Sequence, residues 1–326
     1  NGLEIGNMMA FLQYAIQIII SFLMISMVFI MVPRATVSLQ RVNEILNMKP
    51  SIINPKEPKH FPSNGKGKIE FRDVTFSYPD ANLPVLSGIN FTAEPGQTTA
   101  FIGSTGSGKS TLINLIPRFY DVSAGQILID DIDIREVSSN ELMSRIGYIP
   151  QKGVLFSGTI TSNIAYGNPK ASSKQIEEAA KIAQAAEFIN ELDKKYSSNV
   201  SQGGKNVSGG QRQRLSIARA LATDAKIYIF DDSFSALDFK TDARLRQALT
   251  KKTKNKTVLI VAQRINTIMN ADKIIVLNEG KIVGQGTHAE LMKSCSIYRE
   301  IASSQLSDEE LSDLEKAPSK KQKRAK

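Results

Sequence analysis

Cysteine is almost missing: Cys295 is the single one in 326 residues. One thiol excludes a disulfide framework and fits a reduced, cytosol-facing compartment. No internal repeat and no sustained heptad pattern is present, which excludes repeat arrays and long coiled coils. The basic excess is shallow, with 41 Lys and Arg against 32 Asp and Glu, a net charge of +9. Six of those basic residues lie between Lys316 and Lys326, so the basicity belongs mostly to the C-terminal segment. That distribution does not support a nucleic-acid-binding surface, and no nucleic-acid partner is expected. With 41% hydrophobic and 22% charged residues, the chain is not disordered as a whole. Its length predicts about two domains at roughly 150 residues each.

Charge is absent from Met8 to Val32, a run of 25 residues whose polar members are Gln13, Gln17, Ser21 and Ser26. As a helix the run would reach roughly 37 Å, enough to cross a hydrocarbon core of about 30 Å. A signal peptide would need a basic start, but the first basic residue, Arg34, follows the run. A soluble core helix is rarely apolar all round for so long. The reading is a transmembrane helix in the cell membrane. Arg34 and Arg41 follow it and Glu4 precedes it, which places its C-terminal side in the cytoplasm. The chain opens on Asn1, and a fragment lacking its earlier part is the expectation.

Residues 1–36 are therefore expected to hold the end of a truncated transmembrane domain, and 37–67 a helical exit and a Pro-rich linker. From 68 to 305 the pattern alternates. IEFRDVTFSY (69–78) has period two, while TTAFI (98–102), KIYIF (226–230), TVLIV (257–261) and KIIVL (273–277) are short buried-strand runs. Ser138 with Glu141 and Ser172 with Gln175 have capping-box spacing. Strands alternating with helices predict an α/β domain with a largely parallel sheet. Residues 306–326, first acidic and then basic, read as a solvated disordered tail.

GSTGSGKST at 103–111 is a P-loop between a predicted strand and a helix. Its members are Gly103, Ser104, Thr105, Gly106, Ser107, Gly108, Lys109, Ser110 and Thr111. The glycines let successive backbone N–H groups face phosphate oxygens, and the helix N-terminus adds its dipole. Lys109 would reach the β- and γ-phosphates of ATP and Ser110 would ligate Mg²⁺. Asp231, at the end of an apolar strand, is the expected Walker B carboxylate for the same ion. A chance glycine turn, or a lone helix-capping Asp, is the bland alternative to each; their joint occurrence favours the nucleotide reading.

NVSGGQRQR (206–214) decides which nucleotide machine. Here the chain resembles the ATP-binding cassette (ABC) family, whose signature is a Ser-Gly-Gly-Gln run opening a helix, as at Ser208, Gly209, Gly210 and Gln211. The resemblance implies that this signature faces ATP on a second subunit. It also implies roles for further positions. Tyr78, about 25 residues before the P-loop, is similar to the aromatic that stacks on adenine. Gln151 resembles the Q-loop glutamine, a Mg²⁺ ligand, and FSGTITSNI (156–164) the stretch where coupling helices dock. Asp238 closes a D-loop-like SALD. The implied fold is an ABC-type α/β P-loop NTPase domain with antiparallel β and helical subdomains, preceded by one transmembrane helix. NGLEIGNMMAF and SLQRVNEIL look like the last transmembrane helix of an exporter and its exit.

Two positions depart from the family together. Asp232 stands where hydrolysing members carry Glu, and Gln263 where they carry His. The Asp withdraws the carboxylate by roughly 1.3 Å, and a misplacement of about 1 Å can cost on the order of 10²-fold. Gln donates a hydrogen bond but never carries imidazolium charge. The signature is intact apart from Val207, where Leu is commoner. Such a chain resembles the degenerate-site half of a bacterial heterodimeric multidrug exporter. A second half-transporter, the lipid bilayer and a small lipophilic substrate are the implied partners. An ATP-sensing module with little turnover is the alternative; a soluble repair or translation ATPase has no place for the apolar helix.

Overall fold

A computed structural model describes residues 4–79 and 81–306. The chain divides into two units, Asn1–Ile53 and Asn54–Lys326. The first holds one helix, Ile5–Leu46, whose side chains are all solvent-facing. Among the described residues it is the one helix long and apolar enough to cross a membrane. Ser21 and Ser26 donate to the carbonyls of Gln17 and Phe22, both at 2.9 Å, so the hydroxyls inside the apolar run are satisfied by the helix itself. The helix continues through Pro33 into the stretch expected to form the exit.

The second unit contains β1 (Ile69–Phe76), β2 (Leu86–Ala93), β3 (Thr98–Ile102), β4 (Ala124–Ile129), β5 (Ile132–Asp133) and β6 (Ile146–Ile149). After them come β7 (Gly158–Thr159), β8 (Asn199–Val200), β9 (Ile227–Asp231), β10 (Thr257–Val261), β11 (Lys273–Asn278) and β12 (Lys281–Gly286). A six-stranded sheet has the order β12-β11-β3-β10-β9-β6, parallel except at the β12 edge. A second, antiparallel sheet has the order β2-β1-β4-β5.

The parallel strands are apolar through their middles, with polar residues mainly at their ends, because both faces are covered. Ile227 and Ile229 of β9, Leu259 and Val261 of β10, and Ile275 and Leu277 of β11 pack into one core with the antiparallel sheet. Tyr228 and Phe230, Val258 and Ile260, and Ile274 and Val276 alternate to the opposite face, against the helices. The helix Lys109–Leu115, which opens at the P-loop, buries Leu112, Ile113 and Leu115 in the first of these cores. The loop at its head is thus fixed between two sheets.

Capping differs from expectation at one of two places. Ser172 and Gln175 form the reciprocal box. Ser138 caps its helix, but the Glu141 carboxylate turns away to accept from the Phe61 backbone N–H at 2.9 Å and to pair with His60 at 2.8 Å. A long-range partner outcompetes the local one.

Candidate functional site

The P-loop leaves β3 and enters the helix Lys109–Leu115. Gly103 is required by close approach: a Cβ there would lie 2.0 Å from the Leu277 carbonyl oxygen. Gly108 has φ 96°, and its Cβ would meet Leu86 at 2.7 Å. The buried Lys109 ammonium donates to the carbonyls of Gly103 at 2.9 Å and Ser104 at 2.7 Å, and reaches Ser107 Oγ at 3.4 Å. Burial pushes its pKa down, while Asp232 and Asp231 act in the opposite direction. The lysine therefore spans the loop and braces its curl. Tyr78 joins the loop from the other end, its hydroxyl 3.0 Å from Thr111 Oγ1, and its ring is edge-on to those of Phe76 and Tyr120.

β9 ends on Asp231, and Asp232 follows it with a positive φ of 45°. Asp tolerates this left-handed region better than most residues, and the turn sends the two carboxylates to different partners. Asp231 is buried and accepts from Ser110 Oγ at 3.0 Å. Asp232 Oδ2 accepts from Gln151 Nε2 at 3.2 Å and from Gln263 Nε2 at 3.0 Å. Burial raises both carboxyl pKa values; the Ser110 and Gln151 bonds respectively offset part of that rise.

The fold thus gathers Tyr78, residues 103–111, Gln151, Asp231, Asp232 and Gln263 around one cleft end. The signature stands elsewhere. Ser208 caps the helix Gly209–Ala222, its Oγ accepting from Gln211 N at 3.2 Å while Gln211 Oε1 accepts from Ser208 N at 2.9 Å. Among the described residues, no hydrogen bond joins 208–211 to the P-loop. A Cβ on Gly210 would approach the Ala236 carbonyl no closer than 3.4 Å, and one on Gly209 would meet nothing nearer than Arg212 at 4.0 Å. Asp238 is exposed and caps the helix Phe239–Lys252 through a 2.9 Å bond from Thr241 N, which holds its carboxyl below the usual range.

Sequence reasoning missed Gln213 and Ser233. Gln213 is buried, donates to the Pro150 carbonyl at 3.1 Å and accepts from Gly153 N at 2.9 Å, bracketing Gln151. Ser233 donates to the Ile149 carbonyl at 2.9 Å and ties the Asp231–Asp232 turn to β6. A glutamine on the inward face of an otherwise apolar helix stretch was the available signal for the first.

The family description "ABC transporter" matches residues 86–235, from β2 through the Asp231–Asp232 turn. This is an ABC transporter nucleotide-binding domain. The chain is 46% identical over 307 residues to an uncharacterized ABC transporter ATP-binding protein of Mycobacterium tuberculosis, covering 93% of this chain and 52% of that one. It is 43% identical over 274 residues to an ATP-dependent lipid A-core flippase of Syntrophus aciditrophicus, covering 84% and 45%. A solved bacterial Atm1-family ABC exporter with ATP bound superposes with a TM-score of 0.80 at 32% identity, over 90% of this chain and 51% of that one. The chain spans about half the length of the curated relatives it matches.

Proposed function

We propose that the chain supplies the ATP-binding part of an ABC-type exporter that works with a second half-transporter to move a drug-like or lipophilic molecule across the cell membrane. In this reading the helix Ile5–Leu46 crosses the bilayer and the nucleotide-binding domain lies in the cytoplasm. The observation that carries the paired arrangement is the position of the signature. Gly209 and Gly210 are in ordinary helical backbone, and nothing among the described residues of their own chain needs them small. The close approach they permit is therefore from outside, and a helix N-terminus with a serine hydroxyl suits an anionic phosphate.

ATP and Mg²⁺ fit the residues present. The Ser110–Asp231 pair offers a hydroxyl and one buried carboxylate, and among the described residues no cluster of three or more His, Cys, Asp or Glu could hold a metal alone. That suits an ion which takes one or two protein oxygens and fills its shell with phosphate and water. Bound there, Mg²⁺ would neutralise phosphate charge. Lys109 would exchange its loop carbonyls for phosphate oxygens, and Tyr78 would flank the base.

The chain's own site is read as degenerate, because Asp232 is short and Gln263 cannot become cationic. Gln151, proposed as a Mg²⁺ ligand, enters the site through Asp232. The contacts at Asp232 also favour a second reading, an ATP-sensing module with little turnover: its Oδ2 is occupied by two amides. The test is transport and phosphate release by the full-length half-transporter co-expressed with its partner. ATP-dependent transport supports the exporter; nucleotide binding without transport supports the sensor.

A further inference from the structure

The short helix Ile265–Ile268 begins two residues after Gln263, and the intervening Arg264, its N-cap, makes no side-chain cap bond. The missing cap is supplied from the far end of the domain. Gln305 Oε1 accepts from Ile265 N at 2.9 Å. The same amide donates through Nε2 to the backbone carbonyl of Gln263 at 2.9 Å. One planar side chain thus holds both backbone groups that flank Arg264. It is well placed to do so, because the helix Ser296–Ser303 buries Tyr298 and Ala302, and Leu306 beside Gln305 is buried in the same core. From the opposite side Arg246 Nη1 donates to the Asn266 carbonyl at 3.0 Å.

The geometry points to Gln305 as a positioning residue for Gln263, tying the C-terminal end of the fold to the γ-phosphate end of the nucleotide site. The inference rests on the ATP-site reading above. Gln263 is exposed, and its side chain reaches Asp232 only if the backbone at 263–265 is held. Both bonds of the Gln305 side chain go to backbone groups at 263 and 265, so it acts through the position of its neighbour. Because Asp232 and Gln263 stand at the terminal-phosphate end, the effect belongs to ATP and not to ADP.

The experiment measures release of labelled ATP and labelled ADP from this chain in the full-length transporter, for Gln305→Met, Gln305→Glu, Gln263→Ala and the Gln263→Ala/Gln305→Met double variant. Met keeps the length and removes both bonds. Glu keeps an acceptor for Ile265 N and sets a second oxygen against the Gln263 carbonyl. We expect ATP release about tenfold faster in Gln305→Met, the scale of two neutral hydrogen bonds, with ADP release within about twofold. Gln305→Glu should share the acceleration for ATP. The double variant should be no faster than Gln263→Ala alone, because the two residues act as one unit. Equal acceleration for both nucleotides, or effects that multiply in the double variant, would overturn the inference and leave a general folding role. Unchanged ATP release in both Gln305 variants would overturn it while the ATP site stands. No ATP binding by the unsubstituted transporter subunit would overturn the site reading and this inference with it.

Discussion

Gln263 Nε2 donates to Asp232 Oδ2 at 3.0 Å, so the two positions proposed to make this site degenerate are direct neighbours. Either change alone leaves a carboxylate or a donor in reach of the other. Together they give a contact between a short acid and a neutral amide, which binds without supplying the reach and charge of a Glu–His pair.

Repair should consequently be incomplete. Asp232→Glu with Gln263→His restores reach and a chargeable donor, but in the proposed pair the signature facing this site would come from the partner, and an altered one there would leave the γ-phosphate poorly clamped. The double change is expected to raise ATPase by a small factor, well below the roughly 10²-fold that base placement alone can give. Single-turnover retention of labelled nucleotide measures it; full and equal hydrolysis at both sites would place the whole asymmetry in this chain.

Signature substitutions should weigh more than the base position. Ser208→Ala removes the hydroxyl that in the proposed pair would face the partner's nucleotide, and loss of one such donor typically costs about 10²-fold. Asp232→Asn should change the total rate by less than about twofold if, as proposed, its site contributes little turnover. Phosphate release from the assembled pair compares them, and equal losses would count against an asymmetric machine.

Two glycines should fail in opposite ways. Gly103→Ala drives a Cβ into the Leu277 carbonyl and should cost about 2 kcal/mol or more of stability, among the larger single-residue effects. Gly210→Ala lies in open helix, where Ala is favoured over Gly by up to about 1 kcal/mol. Thermal melts of the first should drop. Those of the second should hold or rise while the pair's ATPase falls.

Burial holds the Asp231 carboxyl above its usual range. As pH falls, the folded chain therefore takes up that proton before the unfolded chain does, and stability is gained through that interval. Ionised Asp231 is conversely a cost at neutral pH. Asp231→Asn should stabilise the nucleotide-free chain at pH 7, and the acid-side gain should disappear. The same variant should lose the rise in melting temperature that Mg-ATP gives the unsubstituted chain. A pH series of melts, with and without Mg-ATP, checks both signs.

Much of this was legible in the order of residues because its signals are local. β1 shows its alternation and β9, β10 and β11 their continuous apolar runs, since one or both faces are buried. The P-loop and signature announce themselves because backbone curl and capping are settled within a few residues. β2 and β12 are quieter: Gly88 and Asn90 interrupt one, Gly284 and Gly286 the other, and their places are fixed by partner strands. Glu141 shows why local spacing misleads, as its carboxylate leaves the cap for residues 80 and 81 positions away. Gln213 and Gln305 meet their partners 60 or more and 40 or more positions away, respectively. No window along the chain contains both ends of those bonds.

Gln213 has a mechanical consequence. By holding the Pro150 carbonyl and the Gly153 N–H together, it makes the helix behind Ser208 and the loop bearing Gln151 a single lever. A displacement of that loop would therefore be passed on to the Ser208 end, and a load on Ser208 passed back to Gln151.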